Sequence, residues 1–263
     1  MPDSSDSSTP RPNIAAAPVP IARADAAARA QRIAQAAGST ARDAAAKVKQ
    51  HALPLYTVGE EIVNSITHGI GAALSIAALV IMVVKAVMTG NHPASLASAL
   101  VFGITLILEY LASTLYHAIQ PQGAKRVFRI IDHCGIYVLI AGSYTPFCLI
   151  TLGQDGGIPL CIAVWVCAVA GIVFEVIMRE RQPRWLTAAL YLAMGWLVVF
   201  RLPQLVALLH PVALALLVAS GLCYSVGTIF YVLKKIRYMH SIFHVWVLAG
   251  SVLEFLAVVL FVI

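Results

Sequence analysis

The sequence predicts an all-α integral membrane protein, a bundle of seven transmembrane helices. Hydrophobic residues make up 60% of the 263 residues and charged residues only 11%, which is more apolar surface than one soluble core can bury. The net charge of +6 does not indicate nucleic acid as a partner, because the basic residues lie between apolar runs rather than along one face. Apolar runs of about 20 residues, the length that crosses a hydrocarbon core of ~30 Å, recur near residues 63–87, 94–117, 131–152, 158–178, 185–206, 211–233 and 242–262.

The segment before the first run is rich in alanine, serine, proline and arginine. Alanine supplies most of its apolar content and cannot build a core. We predict a cytoplasmic tail over residues 1–58, disordered at first and weakly helical near residues 21–50. A single membrane domain over residues 59–263 follows it. The weakly helical stretch can also lie on an anionic membrane surface, although a solvated tail is the preferred interpretation.

Proline and glycine punctuate the joins between the runs, where helices are expected to end. The fifth run contains Arg201 and Pro203, and two interpretations stay open for it. It is a full span, or it ends near Phe200 and continues as a short interfacial segment to Pro211. In the third run, Pro146 predicts a kink whose freed carbonyl group is bonded by a neighbour.

Lysine and arginine are distributed unevenly between the predicted loops, and short cytoplasmic loops carry the excess of these residues. Seven precede the first span, and the second, fourth and sixth loops carry three each. The first and third loops carry none, and the fifth carries at most Arg201. This alternation predicts a cytoplasmic amino terminus and a carboxyl terminus on the outer side.

Polar side chains gather toward one end of the predicted bundle. Charged groups at membrane depth are costly and usually face the interior of a bundle, so each one is a candidate functional residue. Under the predicted orientation they lie on the cytoplasmic side, and they are His68, Ser113, His117, Asp132, His133, His240 and His244.

His240 and His244 stand four residues apart, so both rings lie on one face of the seventh helix and can reach a common point. His117 lies at the same depth at the end of the second helix. Three imidazoles at one level need a shared partner to offset their desolvation. Three neutral imidazoles with a fourth position open are the arrangement of catalytic zinc sites. We therefore predict Zn²⁺ held by His117, His240 and His244; a coincidental histidine pair is the alternative.

Ser113 and Asp132 are the predicted catalytic residues beside this metal. Ser113 lies one turn before His117 on the same face and can hydrogen-bond a bound water or a substrate; helix packing is its alternative role. Asp132 can orient the water, accept its proton or support a ligand histidine. A cap at the start of the third helix is the alternative for Asp132.

Three further acidic residues lie in the predicted spans, Glu109 and Glu254 at depth and Glu175 near the cytoplasmic end of the fourth helix. Glu109 stands two turns before His117 and is expected to line a polar cavity. Glu254 lies mid-helix in the seventh span and is expected to be hydrogen-bonded in the bundle interior. Glu175 is expected to pair with Arg179, four residues further along the fourth helix.

Several segments together resemble the hemolysin III family, the bacterial branch of the progestin and adiponectin receptor superfamily. They are Glu61-Ile-Val-Asn64 with Thr67-His68-Gly69, Ser113-Thr-Leu-Tyr-His117, the run IDHCGIYVLIAGSYTP from Ile131 to Pro146, Gly221-Leu-Cys-Tyr-Ser-Val-Gly227, and His240-Ser-Ile-Phe-His244. The resemblance runs in the family's order from about residue 58 to the carboxyl terminus. It implies a zinc ion near the cytoplasmic face, with His117, His240 and His244 matching the family's ligands. Ser113 and Asp132 match the serine and aspartate beside that zinc.

The resemblance to this family and to its ceramidase relatives also implies a function. It implies a zinc-dependent hydrolase that attacks an amide bond of a membrane lipid, with a role in membrane homeostasis in the inner membrane of a bacterial cell. Membrane lipid is then the expected partner. Two alternatives stay open, a non-enzymatic sensor or regulator with structural zinc and, less favoured, a channel or cytolysin. Neither the substrate nor the oligomeric state follows from the sequence.

Overall fold

A computed structural model of the protein describes residues 28–40, 42, 56–89, 92–178, 182–233 and 236–263. Within these residues, 7 helices are long and apolar enough to cross a membrane, and no residue is in a β-strand. This confirms the predicted all-α fold and the number of spans. The helices are α1 (Val58–Thr89), α2 (Ser95–Ala118), α3 (Gln122–Leu152), α4 (Gly157–Met178), α5 (Arg184–Leu208), α6 (Pro211–Val232) and α7 (Met239–Phe261).

The chain divides into two units, Met1–Ala52 and Leu53–Ile263. In the first unit, residues 28–40 form an exposed helix. Most of the tail that was predicted over residues 1–58 lies outside the described residues. All seven membrane-spanning helices belong to the second unit, which also holds every residue of the candidate site.

Helix α3 begins at Gln122, about nine residues before the start predicted from hydropathy. Asp132 therefore lies well inside the helix, and the alternative in which it caps the helix is wrong. Lys125, which the sequence placed in a loop, lies in the first turn of α3 and is buried. The apolar run underestimates the helix because its first turns are polar, and within them Lys125 forms an ion pair with Glu61 of α1.

Two spans change their helical geometry along their length. Helix α3 continues past Pro146 as a π-helical turn over Phe147–Leu152, because proline has no N–H to keep the α-helical ladder. Helix α5 is a full span, the first of its two open interpretations, and a 3-10 segment over Leu197–Arg201 interrupts it. Tyr144 of α3 stabilises this break, since its hydroxyl donates to the carbonyl of Gly195 at 2.6 Å.

The packing order of the helices determines which side chains meet. Helix α1 packs on α2 and α7, α3 on α2 and α4, and α6 on α7. Large apolar side chains such as Ile70, Val80 and Val166 are exposed on the outer faces, as expected where lipid is the solvent. Because successive spans run in opposite directions, the starts of α1, α3 and α7 and the ends of α2 and α6 meet at one end of the bundle. We call this the histidine end.

Candidate metal centre

His117 of α2 and His240 and His244 of α7 come together at the histidine end. One ring nitrogen from each lies within 4.8 Å of the other two. The Nε2 atoms of His240 and His244 are 3.2 Å apart. Two tetrahedral ligands at the usual Zn–N distance of ~2.0–2.1 Å are about 3.3 Å from each other. The spacing of these two nitrogens therefore suits a single small cation between them.

Two charged side chains, Glu61 and Lys125, orient the His117 ring. His117 Nδ1 lies 2.6 Å from Glu61 Oε2 of α1, and Lys125 Nζ of α3 lies 2.8 Å from the other oxygen of the same carboxylate. A carboxylate accepts a hydrogen bond from Nδ1–H, which leaves the lone pair on Nε2. Within the described part of the chain, the buried His117 Nε2 has no hydrogen-bond partner. An orphaned buried nitrogen of this kind fits a metal ligand.

Thr67 of α1 orients the His244 ring. Its hydroxyl donates to the backbone carbonyls of Val63 and Asn64, both at 2.9 Å, so its oxygen is left to accept from His244 Nδ1 at 3.3 Å. The His244 lone pair then lies on Nε2, facing His240. Two imidazole nitrogens that face each other need a proton or a cation between them, and a cation also satisfies His117 Nε2.

An aromatic ring, that of Tyr56, covers part of the histidine cluster. The Tyr56 ring stacks on His240 with centroids 5.1 Å apart and meets His117 edge-on at 5.5 Å. Burial raises the pKa of the Tyr56 phenol well above its usual value, so this cover is a neutral side chain at physiological pH. His117 and His244 are buried beneath this cover, and His240 is partly exposed.

His68 of α1, predicted only as a polar intramembrane residue, joins this cluster. Its ring stacks on His244 with centroids 3.6 Å apart and meets Tyr110 edge-on at 5.0 Å. Neither ring nitrogen of His68 has a hydrogen-bond partner among the residues described. His68 also lines the interior cavity.

Ser113, Asp132 and Glu109 are buried and line one cavity of about 370 Å³ together with His240 and His244. One carboxylate oxygen of Glu109, Oε2, makes no hydrogen bond to the described residues. The predicted site residues of α2 and α3 thus share one space with two of the three histidines. Their chemical roles stay predictions.

Away from the histidine end, the cavity is mostly apolar. It continues between α3, α5, α6 and α7 to Leu152, Leu160 and Leu205 at the opposite end of the bundle. Glu254 lines the cavity between these two ends and is buried, as expected for a residue of the bundle interior. A polar head and an apolar tail of one molecule would therefore find different surroundings in the same cavity.

A second polar pair lies beside this cavity. His133 Nδ1 is 2.8 Å from Glu175 Oε1, and the amide of Gln182 donates to the other oxygen of Glu175. The predicted partner of Glu175, Arg179, lies outside the described residues. The pairing with His133 joins α3 to α4 over 42 positions of sequence, and no local pattern could have indicated it.

Comparison with known proteins gives a consistent result. A family model described as haemolysin-III related matches residues 56–255. The hemolysin-3 homolog of Bacillus subtilis (strain 168) is 44% identical over 207 residues, which cover 79% of this chain and 96% of that protein. Hemolysin-3 of Bacillus cereus is 42% identical over 206 residues, with coverage of 78% and 93%. The heptahelical transmembrane protein ADIPOR2 of Oryza sativa subsp. japonica is 29% identical over 167 residues, with coverage of 54% and 70%.

Proposed function

The chain belongs to the haemolysin-III-related family, as its motifs predicted, and from this premise we propose that it is a zinc-dependent membrane hydrolase acting on a lipid amide bond. One observation carries the proposal. One cavity is lined both by a long apolar surface and by Ser113, Asp132 and two of the clustered histidines. A membrane lipid can place its polar head beside the histidines and one acyl chain along the cavity.

The donor set at the histidine end suits zinc. All three candidate ligands are imidazoles, which favour zinc or a similar borderline ion over the hard cations that prefer oxygen. Glu61 and Lys125 behind His117, and Thr67 behind His244, hold the rings in the tautomer that a metal requires. Zinc, when bound, would activate a water molecule at neutral pH and polarise a carbonyl group.

The protein groups then carry the proton transfers of amide hydrolysis. Asp132 accepts the proton of the attacking water as its oxygen bonds to the carbonyl carbon. The carbon–nitrogen bond breaks, and Asp132 returns the proton to the leaving nitrogen. The Ser113 hydroxyl hydrogen-bonds the carbonyl oxygen and keeps the scissile group beside the histidines. The products are a fatty acid and an amine.

Purified protein in detergent, incubated with ceramide and with other N-acylated membrane lipids, tests this proposal through the fatty acid released. Removal of a positioned acid–base group lowers a rate by roughly 10²–10⁴-fold. The Asp132→Asn variant is expected to lose turnover on this scale while it keeps its zinc, measured by elemental analysis. The His244→Ala variant should lose both zinc and turnover.

The matched control is Glu60→Gln, since Glu60 accepts its hydrogen bonds from Thr57 and from the backbone N–H of Tyr238. It should keep both zinc and turnover. Release of fatty acid at an unchanged rate by the His244→Ala variant would contradict the proposal. Wild-type protein that holds zinc but hydrolyses none of the lipids would favour the alternative of a regulator with structural zinc.

A further inference from the structure

Three polar side chains interrupt the apolar stretch of the cavity midway along its length. They are Ser143 of α3, Tyr224 of α6 and Glu254 of α7, and all three line the cavity. We call them the mid-cavity station. None of the three belongs to the candidate metal centre, and a carboxyl group beside an apolar passage needs a polar partner to offset its desolvation.

The station lies at a defined distance from the metal centre. Glu254 follows His244 by ten residues of continuous helix, and Ser143 follows Asp132 by eleven. At ~1.5 Å of rise per residue, both separations correspond to about 15 Å along the bundle. The cavity continues beyond the station toward Leu152 and Leu160. An acyl chain that starts at the histidines would therefore pass the station before it ends.

A directed chain of hydrogen bonds ends at Glu254. Tyr110 donates to Ser251 at 2.8 Å, Ser251 lies 3.0 Å from the Tyr224 hydroxyl, and Tyr224 donates to Glu254 Oε2 at 3.3 Å. Each hydroxyl has one hydrogen, so these donations use all of them. The Ser143 hydroxyl donates its hydrogen to the carbonyl oxygen of Ile140 at 3.1 Å, so its oxygen can accept a further hydrogen bond.

The station consequently has more acceptor positions than the protein fills. A carboxylate has about four such positions, and the Tyr224 hydroxyl fills one of them, on Oε2. A hydrocarbon chain at this point would leave the remaining positions without a partner. A hydroxyl group matches them, because it donates a hydrogen to the carboxyl group and is small enough for a narrow cavity.

The station is preformed by close packing against glycines. A Cβ atom at Gly250 would lie 2.8 Å from the Tyr224 ring, so only glycine allows the ring to lie flat on α7 at this position. Gly71 of α1 makes the same room for the ring of Tyr110. The tyrosines are thereby fixed, and little side-chain entropy remains to be lost when a ligand binds.

We propose that the mid-cavity station binds a hydroxyl group carried midway along an acyl chain whose polar end lies at the metal centre. The proposal rests on the proposed function, in which the cavity holds the acyl chain of a lipid. A fully extended chain covers ~3.6 Å per three bonds, or about 1.2 Å per bond, so 15 Å corresponds to roughly 12 bonds. The preferred ligands are thus acyl chains hydroxylated near the twelfth carbon.

Binding of free fatty acids to the purified, zinc-loaded protein tests this without any need for turnover. The probes are octadecanoic acid, 12-hydroxyoctadecanoic acid and 2-hydroxyoctadecanoic acid, compared by competition against one fluorescent fatty acid. One added hydrogen bond predicts that wild type prefers the 12-hydroxy acid over octadecanoic acid by roughly three- to tenfold. The 2-hydroxy acid, whose hydroxyl stays beside the carboxylate, should not share this preference.

Variants locate the preference. Glu254→Leu is expected to bind octadecanoic and 12-hydroxyoctadecanoic acid equally, whereas Glu254→Gln should keep the preference because an amide also donates and accepts. Tyr144→Phe is the control, since the Tyr144 hydroxyl also lies in the cavity wall but bonds the backbone at the break in α5. It should keep the preference.

Three results would overturn the proposal. Equal affinity of wild type for octadecanoic and 12-hydroxyoctadecanoic acid would refute the role of the station as a hydroxyl site and leave the proposed binding of an acyl chain in the cavity intact. Failure of wild type to bind any of the acids would also refute the proposed binding of a lipid acyl chain in the cavity. A preference that persists in Glu254→Leu assigns the hydroxyl to another part of the protein. If that variant does not fold, Glu254→Met, which also removes the carboxyl group, replaces it, and a preference that persists in Glu254→Met has the same meaning.

Discussion

Replacing Glu61 by glutamine tests how strongly the metal centre depends on the side chains behind its ligands. In the wild-type protein the Glu61 carboxylate lies between His117 Nδ1, at 2.6 Å, and Lys125 Nζ, at 2.8 Å. Glutamine keeps the shape and one acceptor oxygen but removes the negative charge. His117 then becomes a weaker electron donor, and its tautomer is less firmly held.

The size of the effect follows from this geometry. Outer partners of metal ligands are worth about 10–100-fold in metal affinity. Glutamine can still accept from His117 Nδ1–H, so we expect about tenfold for Glu61→Gln, or about 1.4 kcal/mol. Alanine accepts no hydrogen bond and leaves a space beside the ring. Glu61→Ala should therefore approach the upper limit of about 100-fold.

Zinc affinity in detergent solution is measured by competition with a chelating dye of known affinity. Glu60→Gln is the matched control because Glu60 is the neighbouring buried carboxylate, and it bonds Thr57 and Tyr238 rather than a histidine. It should bind zinc as the wild type does. Equal zinc affinity in Glu61→Gln, Glu61→Ala and wild type would refute the role assigned to Glu61.

Three further predictions concern stability. When zinc is present at ~100 times its dissociation constant, its removal by a chelator should lower the melting temperature of the wild type by roughly 5–10 °C. The melting temperature of His117→Ala should not change. An equal shift in both proteins would contradict metal binding at His117. Lys125→Met should lower the free energy of unfolding by about 1–3 kcal/mol in denaturant titrations, because it leaves the partly buried Glu61 without its cation. The double variant with Glu61→Gln should lose less than the sum of the two single variants, and strict additivity would argue against the ion pair. Glu175→Gln should lower the free energy of unfolding by about 1–3 kcal/mol, because it weakens the hydrogen bond to His133, and should leave zinc affinity unchanged. A loss of zinc in this variant would show that the two sites are coupled.

The number of helices could be predicted because membrane thickness sets the length of an apolar span. The start of α3 could not, since its first turns are polar and hydropathy treats them as a loop. Lys125 is buried there because Glu61 offsets its charge and because the carbonyl oxygens of His117 and Ile119 accept from its ammonium group. That ion pair joins residues 61 and 125, which are 64 positions apart in the sequence, so only the folded bundle brings them together.

The residues of the candidate site also fall into those that the sequence predicts and those that it does not. The spacing of His240 and His244 within one helix placed them on a common face, and depth in the membrane brought His117 to the same level. The orienting side chains were not predicted as site residues, although Glu61 lies in a motif that carried the family resemblance. Glu61 and Thr67 act on rings that belong to other helices, and neither has a sequence spacing that relates it to a histidine.

The central claim is that His117, His240 and His244 hold one zinc ion, and X-ray absorption at the zinc edge tests it most directly. The purified wild-type protein is predicted to contain one zinc per chain with three imidazole nitrogens at ~2.0–2.1 Å, and His117→Ala is predicted to lose it. A wild-type protein without stoichiometric metal, or a zinc spectrum that is the same in His117→Ala, would contradict the claim.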